Sequence, residues 1–488
     1  MSVPNNVRLP HPVASVLARP LALVLPMVPG LLAAAWLQVY RPWFWAEFLL
    51  IAVLSRGRPV LFALGLALLW IADFLFVFAQ VNLSSNYGEV LDLLSFVPYT
   101  NVGWIVVGSA ALAGLMLWGW LCLRLQQRAS PGRGLLLWTL ALLAVSLAWP
   151  RINGFDLAEG KLYGIRVAKL AGSWVLTSQH MRSGLSFYEE GFAPDAGKFV
   201  ELPQDGSAVR RMLAHAAPAE KMLVVVVESW GLSRSAAENQ FWKNLWASSD
   251  WQVRAGTLPF QGATVAAELR ELCGFVPASL RIDAIPDAQR CLPNRLRAQG
   301  WHTHAFHGAS GKMYRRDAWY PVIGFERSSF MQQLMSNAKR CSSIPGVCDY
   351  SIASQVTQTL RQEGRRFTYW MTLNSHTPYR DSDLSDPQVV SQVCAPLGLQ
   401  GARCMHAALL YDFMRSLKAA LSQQPIQGLQ VVLVGDHAPK FFDAQSREDF
   451  DDAAVPYLMV ETPAAPWKGQ MADSVSAEKA LAGQTLLP

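Results

Sequence analysis

Long apolar runs crowd the first third of the chain, whereas the remainder alternates between strand-like and helix-like patterns. Residues 20–38, 59–80, 102–123 and 134–150 are each nearly free of charge and roughly long enough to cross ~30 Å of hydrocarbon as a helix. Four membrane spans are expected on that count. A shorter run, residues 43–54, carries Glu47 and falls below spanning length, so by length alone it reads as interfacial. Charge placement favours a fifth crossing here: Arg8, Arg19, Arg56, Arg58, Arg124, Arg128 and Arg133 then share one side and only Arg41 lies on the other. Five crossings put the N-terminus inside and the rest of the chain outside, whereas four would return it to the cytoplasm.

Residues 1–150 are thus expected to form a transmembrane domain. Residues 151–215 follow as a juxtamembrane stretch in which Leu162, Ile165, Val167, Leu170, Trp174 and Phe187 are set among Lys, Arg, Ser and Gly. A helix lying on the membrane surface and a linker helix packed on the next domain both fit that spacing. From residue 216 to 462 the pattern predicts strands at 222–227, 302–307, 367–373, 429–434 and 455–460, with helices at 264–273, 292–299, 350–363 and 404–423 among them. Such alternation implies an α/β domain, a mainly parallel sheet covered by helices on both faces. Residues 463–488, rich in Ala, Gly, Ser and Gln, read as a loose tail.

Composition agrees with a membrane-anchored protein, since 51% of the 488 residues are hydrophobic and only 16% are charged. A net charge of +6 spread along the chain is explained by membrane topology, and nucleic-acid binding is not expected. Of the seven cysteines, Cys122 lies in a predicted span, while the other six form neighbouring couples: Cys273 with Cys291, Cys341 with Cys348, and Cys394 with Cys404. An even number at short separations suits disulfides in an oxidising compartment, most simply a bacterial periplasm, although spacing alone does not choose the pairing.

Candidate chemistry sits where the buried strands end. Met222 to Val227 is a continuous apolar run of the kind that a doubly covered strand requires, and it stops at Glu228. Leu429 to Gly435 behaves likewise and stops at Asp436 and His437. Ligands in open α/β sheets gather at such ends. Between them, Gly262 permits a turn and Thr264 opens a helix, either as an N-cap with Glu268 near capping-box distance or as a nucleophile facing a helix N-terminus. In the membrane part, Glu47 and Asp73 are ionisable groups at apolar depth, which are costly unless paired.

An acid ending the first strand, Thr264 at a helix start, Asn374-Ser375-His376-Thr377-Pro378-Tyr379 and Gly435-Asp436-His437, in that order after five spans, resemble the lipoteichoic acid synthase and membrane phosphoglycerol transferase branch of the alkaline phosphatase and sulfatase superfamily. The resemblance implies one divalent cation, Mn²⁺ ahead of Mg²⁺ or Zn²⁺, held by Glu228, Thr264, Asp436 and His437. It also implies His376 as a substrate-side histidine that binds phosphate oxygens or moves a proton. Tyr314 and Arg316 match an aromatic and an Arg that contact the head group in the family, although many relatives carry Trp at the position of Tyr314. His307 is expected to shape the same pocket or to pack at a strand end, and His302 and His304 are expected to share its strand face.

The activity so implied is a phosphotransferase of the bacterial inner membrane with its catalytic domain in the periplasm. It would carry phosphoglycerol from phosphatidylglycerol to a hydroxyl of a glycan or polymer through a covalent Thr264 intermediate. Cys273-Gly274 after the nucleophile helix is similar to glucan-decorating phosphoglycerol transferases, and the chain has Glu228-Ser229-Trp230-Gly231 where phosphoethanolamine transferases show Gly-Glu-Thr-x-Arg. Transfer of phosphoethanolamine to a glycan or lipid A is the first alternative. A sulfatase- or phosphodiesterase-type hydrolase is the second, although the Thr264 window lacks a Cys/Ser-x-Pro-x-Arg run. A non-catalytic membrane scaffold is the third.

Overall fold

The computed structural model describes residues 21–39, 41–55, 57–81, 102–128, 171–172 and 199–462, with short breaks at 216–218, 249–250, 261, 278–281, 283 and 336–337, and a few helical positions between 137 and 144. In the N-terminal part the described helices are α1 (Val28–Leu37), α2 (Ala46–Leu54), α3 (Pro59–Val81) and α4 (Val102–Arg128). Pro59–Phe78 and Val102–Gln127 are long and apolar enough to cross a membrane, and Leu21–Leu37 is a shorter apolar helical stretch. The expected span at 134–150 lies almost wholly outside the described residues, as do most of the juxtamembrane stretch and the tail.

Residues 43–54 prove to be part strand and part helix. Phe44–Trp45 is extended and pairs in parallel with Ala171–Gly172, and α2 then runs to the turn before α3. The acid flagged at apolar depth is paired: Asp73 takes the Nε and Nη2 hydrogen bonds of Arg41 at 2.9 and 2.7 Å and the indole N–H of Trp45 at 2.8 Å, with both charges almost fully buried. Pairing of that kind makes Asp73 a tie between α3 and the segment before α2.

The α/β domain is built on a seven-stranded sheet. In chain order its strands are β1 (Lys221–Val227), β2 (Gln252–Pro259), β3 (His302–His307), β4 (Arg327–Ser329), β5 (Arg366–Met371), β6 (Leu429–Gly435) and β7 (Ala454–Glu461). Their spatial order is β2-β7-β6-β1-β5-β3-β4. From β6 to β4 neighbours are parallel, whereas β7 opposes both β6 and β2. The sheet is therefore mixed, and β7 departs from the expected parallel run.

The unbroken apolar strands have a simple cause. Met222, Val224 and Val226 enter a core on one face with α5 (Ala208–His215) and α7 (Thr264–Leu272). Leu223, Val225 and Val227 enter a second core on the other face with α6 (Ala236–Trp246), α8 (Asp349–Arg361) and α9 (Gly401–Gln423). A strand covered on both faces has no solvated side and hence no alternation. All three neighbouring cysteine couples are joined as disulfides, and Cys122 is free and buried.

Among the described residues, hydrogen bonds join the two parts of the chain at the C-terminal end of α1. After His437 the chain reaches the short helix Ala444–Glu448, and Arg447 there hydrogen bonds the carbonyls of Leu37 and Gln38 at the C-terminal end of α1.

Candidate active site

Register alone assembles the acidic pair. Gly435 lies opposite Val227 in the parallel β6–β1 ladder, so the next residues, Asp436 and Glu228, emerge side by side at the carboxyl end of the sheet. Gly435 is required there, because a Cβ on it would lie 1.9 Å from the Trp230 carbonyl oxygen. Met371 of β5 pairs with both Val226 and His307, which brings the segment Thr372–His376 and His307 to the same edge.

Glu228, Asp436 and His437 each offer a ligand atom within 4.8 Å of the others. Nε2 of His437 stands 3.3 Å from Asp436 Oδ2 and 3.6 Å from Glu228 Oε1. Thr264 Oγ1 donates to Asp436 Oδ2 at 3.0 Å and lies 3.4 Å from Glu228 Oε2. All four residues expected to hold the cation thus converge.

The chemistry of this nest fits a divalent cation. Two buried carboxylates share it, and burial together with the charge of Asp436 pushes Glu228 well above the ordinary carboxylate range. Nδ1 of His437 donates to the Ala438 carbonyl, which leaves the Nε2 lone pair facing the carboxylates. Lone pairs and negative charge pointed at one point are costly unless a cation sits among them. Two carboxylates, an imidazole and a hydroxyl suit Mn²⁺, Mg²⁺ or Zn²⁺.

The turn that carries Glu228 is anchored on several sides. The Glu228 amide donates to Thr372 Oγ1 at 2.8 Å, the Ser229 amide to Asp436 Oδ1 at 2.7 Å, and His406 Nε2 to the Ser229 carbonyl at 2.9 Å. Ser375 donates to the Glu228 carbonyl. Ser229 adopts φ 54°, a left-handed conformation that a non-glycine residue holds only where its surroundings fix it. Ser375 lies inside the motif at 374–379, to which the sequence assigned it no role of its own, whereas Thr372 and His406 were not read from the sequence because nothing local marks them.

On the helix side, the capping-box expectation is replaced by a different arrangement. Ala263 is the N-cap of α7 and supplies no side-chain cap, while Thr264 is the first helical residue. Glu268, one turn below Thr264, turns instead to Arg316: its carboxylate takes the Arg316 Nε at 2.7 Å, Nη2 of the same guanidinium, and the Tyr320 hydroxyl at 2.9 Å. The pair is almost fully buried, and although burial works against the charge, Glu268 holds Arg316 above its ordinary pKa.

The guanidinium edge suited to a bidentate phosphate contact is therefore occupied by Glu268. Nη1 of Arg316 instead faces His307 Nε2 at 3.2 Å. His307 donates from Nδ1 to the Met371 carbonyl at 3.0 Å, so its Nε2 is the acceptor, and burial beside Arg316 holds it neutral. Tyr314 stacks on Arg316 with the guanidinium carbon 5.0 Å from the ring centroid. Tyr314 and Arg315 have φ of 53° and 54°, so the loop that presents them is held in a strained conformation.

His376 is half-buried, donates from Nδ1 to the Thr377 carbonyl, and leaves Nε2 available. Burial lowers its pKa, and the nearby His437 adds to that effect. Asp349 holds the segment in front of it by accepting the amides of Leu373 and Asn374 at 2.8 and 2.7 Å. His302 and His304 do not join the site. His302 pairs with Glu326, and His304 bonds Ser329 and stacks on Phe306. The expected common face fails on parity, because 304 and 307 are an odd number of positions apart on one strand.

Comparison with known proteins follows this geometry. Residues 261–469 match the family model described as Sulfatase. The capsular polysaccharide biosynthesis protein RkpI of Rhizobium meliloti (strain 1021) is 24% identical over 216 residues, which is 41% of this chain and 36% of that relative. Among solved structures, the lipoteichoic acid synthase LtaP from Listeria monocytogenes is similar at 14% identity and a TM-score of 0.37, over 50% of this chain and 66% of that one. The Streptococcus pyogenes phosphoglycerol transferase GacH, in complex with sn-glycerol-1-phosphate, is similar at 15% identity and a TM-score of 0.35, over 51% and 71%. The periplasmic domain of EptC from Escherichia coli, in complex with Zn, is similar at 15% identity and a TM-score of 0.36, over 51% and 75%. The chain spans about a third of the length of the curated relative and just under two thirds of LtaP.

Proposed function

Given a sulfatase-family domain of the alkaline phosphatase superfamily at residues 261–469, we propose that the protein is a membrane-anchored transferase. It moves phosphoglycerol from phosphatidylglycerol to a hydroxyl of an extracytoplasmic glycan or polymer. The observation that carries this reading is Thr264 Oγ1 at 3.0 Å from Asp436 Oδ2 and 3.4 Å from Glu228 Oε2, at the uncapped start of a helix. A hydroxyl so placed is a nucleophile, and the helix start favours the phosphate charge that develops on it. The relative named for capsular polysaccharide biosynthesis agrees with a glycan acceptor.

A cation held by Glu228, Asp436 and His437 supplies positive charge that acidifies the Thr264 hydroxyl and offsets the carboxylates. Thr264 Oγ1 bonds to phosphorus as the diacylglycerol oxygen leaves, and its proton passes to the Asp436 carboxylate that already accepts it. Burial favours the neutral form of His376, while an anionic phosphodiester beside it favours the charged form, which protonates the departing oxygen. The acceptor hydroxyl then attacks phosphorus, Nε2 of His376 takes its proton, and Thr264 recovers its own from Asp436. Arg316, fixed by Glu268 and His307, contributes positive potential to the pocket.

Anchoring brings this site to the lipid surface and raises the effective donor concentration. Contact between Arg447 and the C-terminal end of α1 supports five crossings, because a domain that meets the far end of the first span is reached after an odd number of them. Intact-mass spectrometry after incubation with phosphatidylglycerol tests the reading: a phosphoglycerol adduct mapped to Thr264 and missing from Thr264→Ala is expected. Label arriving only from phosphatidylethanolamine would sink the donor assignment, and release of free glycerol phosphate with no acceptor product would make the protein a hydrolase.

A further inference from the structure

One buried arginine outside the catalytic constellation joins segments about four hundred positions apart. Arg447 is 5% exposed. Its Nη1 donates to the carbonyls of Phe441 and Phe442 at 2.8 and 2.7 Å, and its Nη2 to those of Leu37 and Gln38 at 2.9 and 3.0 Å. The Ala444 amide donates to Gln38 Oε1 at 2.8 Å, and Trp36 stacks on Phe442 with centroids 5.0 Å apart. The last carbonyls of a helix lack partners within it and carry its partial negative charge, so a buried guanidinium there satisfies both. Gln38 ends α1 in the left-handed conformation, φ 50° and ψ 48°, which turns its amide side chain and the final carbonyls outward.

The contact is chained to the metal ligands on both strands. Phe441 follows His437 by four residues, and its ring packs on Tyr379 and His406, 5.3 and 5.6 Å between centroids. Tyr379 donates to the Lys440 carbonyl, and His406 to the Ser229 carbonyl beside Glu228. The clamp and the turns that carry Asp436 and Glu228 thus belong to one packed unit, whose place relative to α1 the clamp sets. Trp36, Trp43 and Phe442 are 64%, 54% and 42% exposed around this contact, the aromatic signature of a head-group layer.

We infer that Arg447 is a positioning residue that clamps the ligand-bearing loop onto the outer end of α1 and sets the catalytic centre at head-group height. This inference rests on the lipid-donor reading for its kinetic consequence but not for the contact itself. Arg447→Gln removes the guanidinium from the catalytic side; Gln38→Gly leaves the carbonyls that Arg447 holds, removes the side-chain oxygen that the Ala444 amide bonds, and suits the local φ. Two measurements on the full chain in phosphatidylglycerol nanodiscs decide the matter. Amide hydrogen exchange across 441–448 is expected to rise in Gln38→Gly, whose catalytic domain is untouched, and unchanged exchange would overturn the clamp. Both variants are expected to raise KM for bilayer phosphatidylglycerol about tenfold while kcat, and cleavage of water-soluble bis-p-nitrophenyl phosphate, stay within about twofold. Equal losses on both substrates would show that Arg447 only stabilises its own turn, and no loss on either would overturn the positioning role. If the unaltered protein cleaves the soluble diester but no bilayer phosphatidylglycerol, the donor reading fails, and hydrogen exchange alone decides the clamp.

Discussion

Glu268 offers the sharpest energetic test, because its only charged partner among the described residues is Arg316 and neither side chain reaches solvent. Glu268→Gln keeps the volume and can still present one oxygen to the Nε and Nη2 that Glu268 now holds, and its amide can meet the Tyr320 hydroxyl. What is lost is the countercharge, which leaves a buried cation uncompensated. Removing one member of a buried ion pair costs about 3–5 kcal/mol, and the retained hydrogen bonds put this variant near the lower figure. An apolar replacement of the three residues, Glu268→Leu with Arg316→Met and Tyr320→Phe, is expected to recover part of that cost, because no charge remains buried there while His307 Nε2 loses its Arg316 donor. Urea unfolding followed by tryptophan fluorescence measures both. Turnover separates structure from chemistry: the triple variant regains stability but not activity if Arg316 supplies potential to the pocket. A Glu268→Gln cost below about 1 kcal/mol would refute the buried pair, and an active triple variant would remove Arg316 from the reaction.

Glu228→Gln is expected to weaken Mn²⁺ binding by at least about a hundredfold, more than the 10- to 100-fold that outer hydrogen-bond partners are worth, and to abolish turnover with an unchanged circular dichroism spectrum. Calorimetric titration checks it, and retained affinity would remove Glu228 from the site. For Asp349, burial outweighs the Leu373 and Asn374 amides and pushes the carboxyl up from 3.8 to about 7. Its folded-state pKa lies above the unfolded one, so its contribution to stability is full below about pH 4 and is lost as pH rises through about 7. Asp349→Asn should flatten the fall in unfolding free energy between about pH 4 and 7, and an unaltered slope would count against a buried, neutral-leaning acid.

The parts of this protein that were legible in the sequence are those with a one-dimensional signature. The Val224–Val227 run announced a strand covered on both faces, and its two parities enter two separate cores. Glu228, Thr264, Asp436 and His437 were found because strand ends and helix starts mark themselves. Strand direction has no local signature, and so β7 was placed in the sheet without its reversal. Edge strands β2 and β4 were missed because exposure leaves polar residues such as Arg254 and Arg327 in them. Glu268 was misread as a cap because spacing from Thr264 is local information, whereas its partner Arg316 is 48 positions away. Asp73 posed the same difficulty: an acid in an apolar helix is visible, but the Arg41 that neutralises it is not.

The walls of the acidic nest are tied by other buried charges. Arg270, in the same helix as Thr264, donates from Nη2 to the Gly435 carbonyl at 2.8 Å, and its Nε to Glu271 at 2.7 Å. Glu271 in turn accepts the Ser207 hydroxyl and the Val209 amide at the start of α5. The Thr264 helix is thus bolted to the residue that precedes Asp436, while Glu268 and Arg316 hold its face to the pocket loop. Separation of Thr264 from Asp436 would strand buried charges at both ends of that helix, a penalty of several kcal/mol. Repulsion between Glu228 and Asp436 cannot relax by moving the strands apart, since Val227 and Gly435 are paired in the central ladder. On the proposed reading, a divalent cation would meet carboxylates that the fold already holds together, and its binding energy would go into acidifying Thr264 rather than into assembling the site.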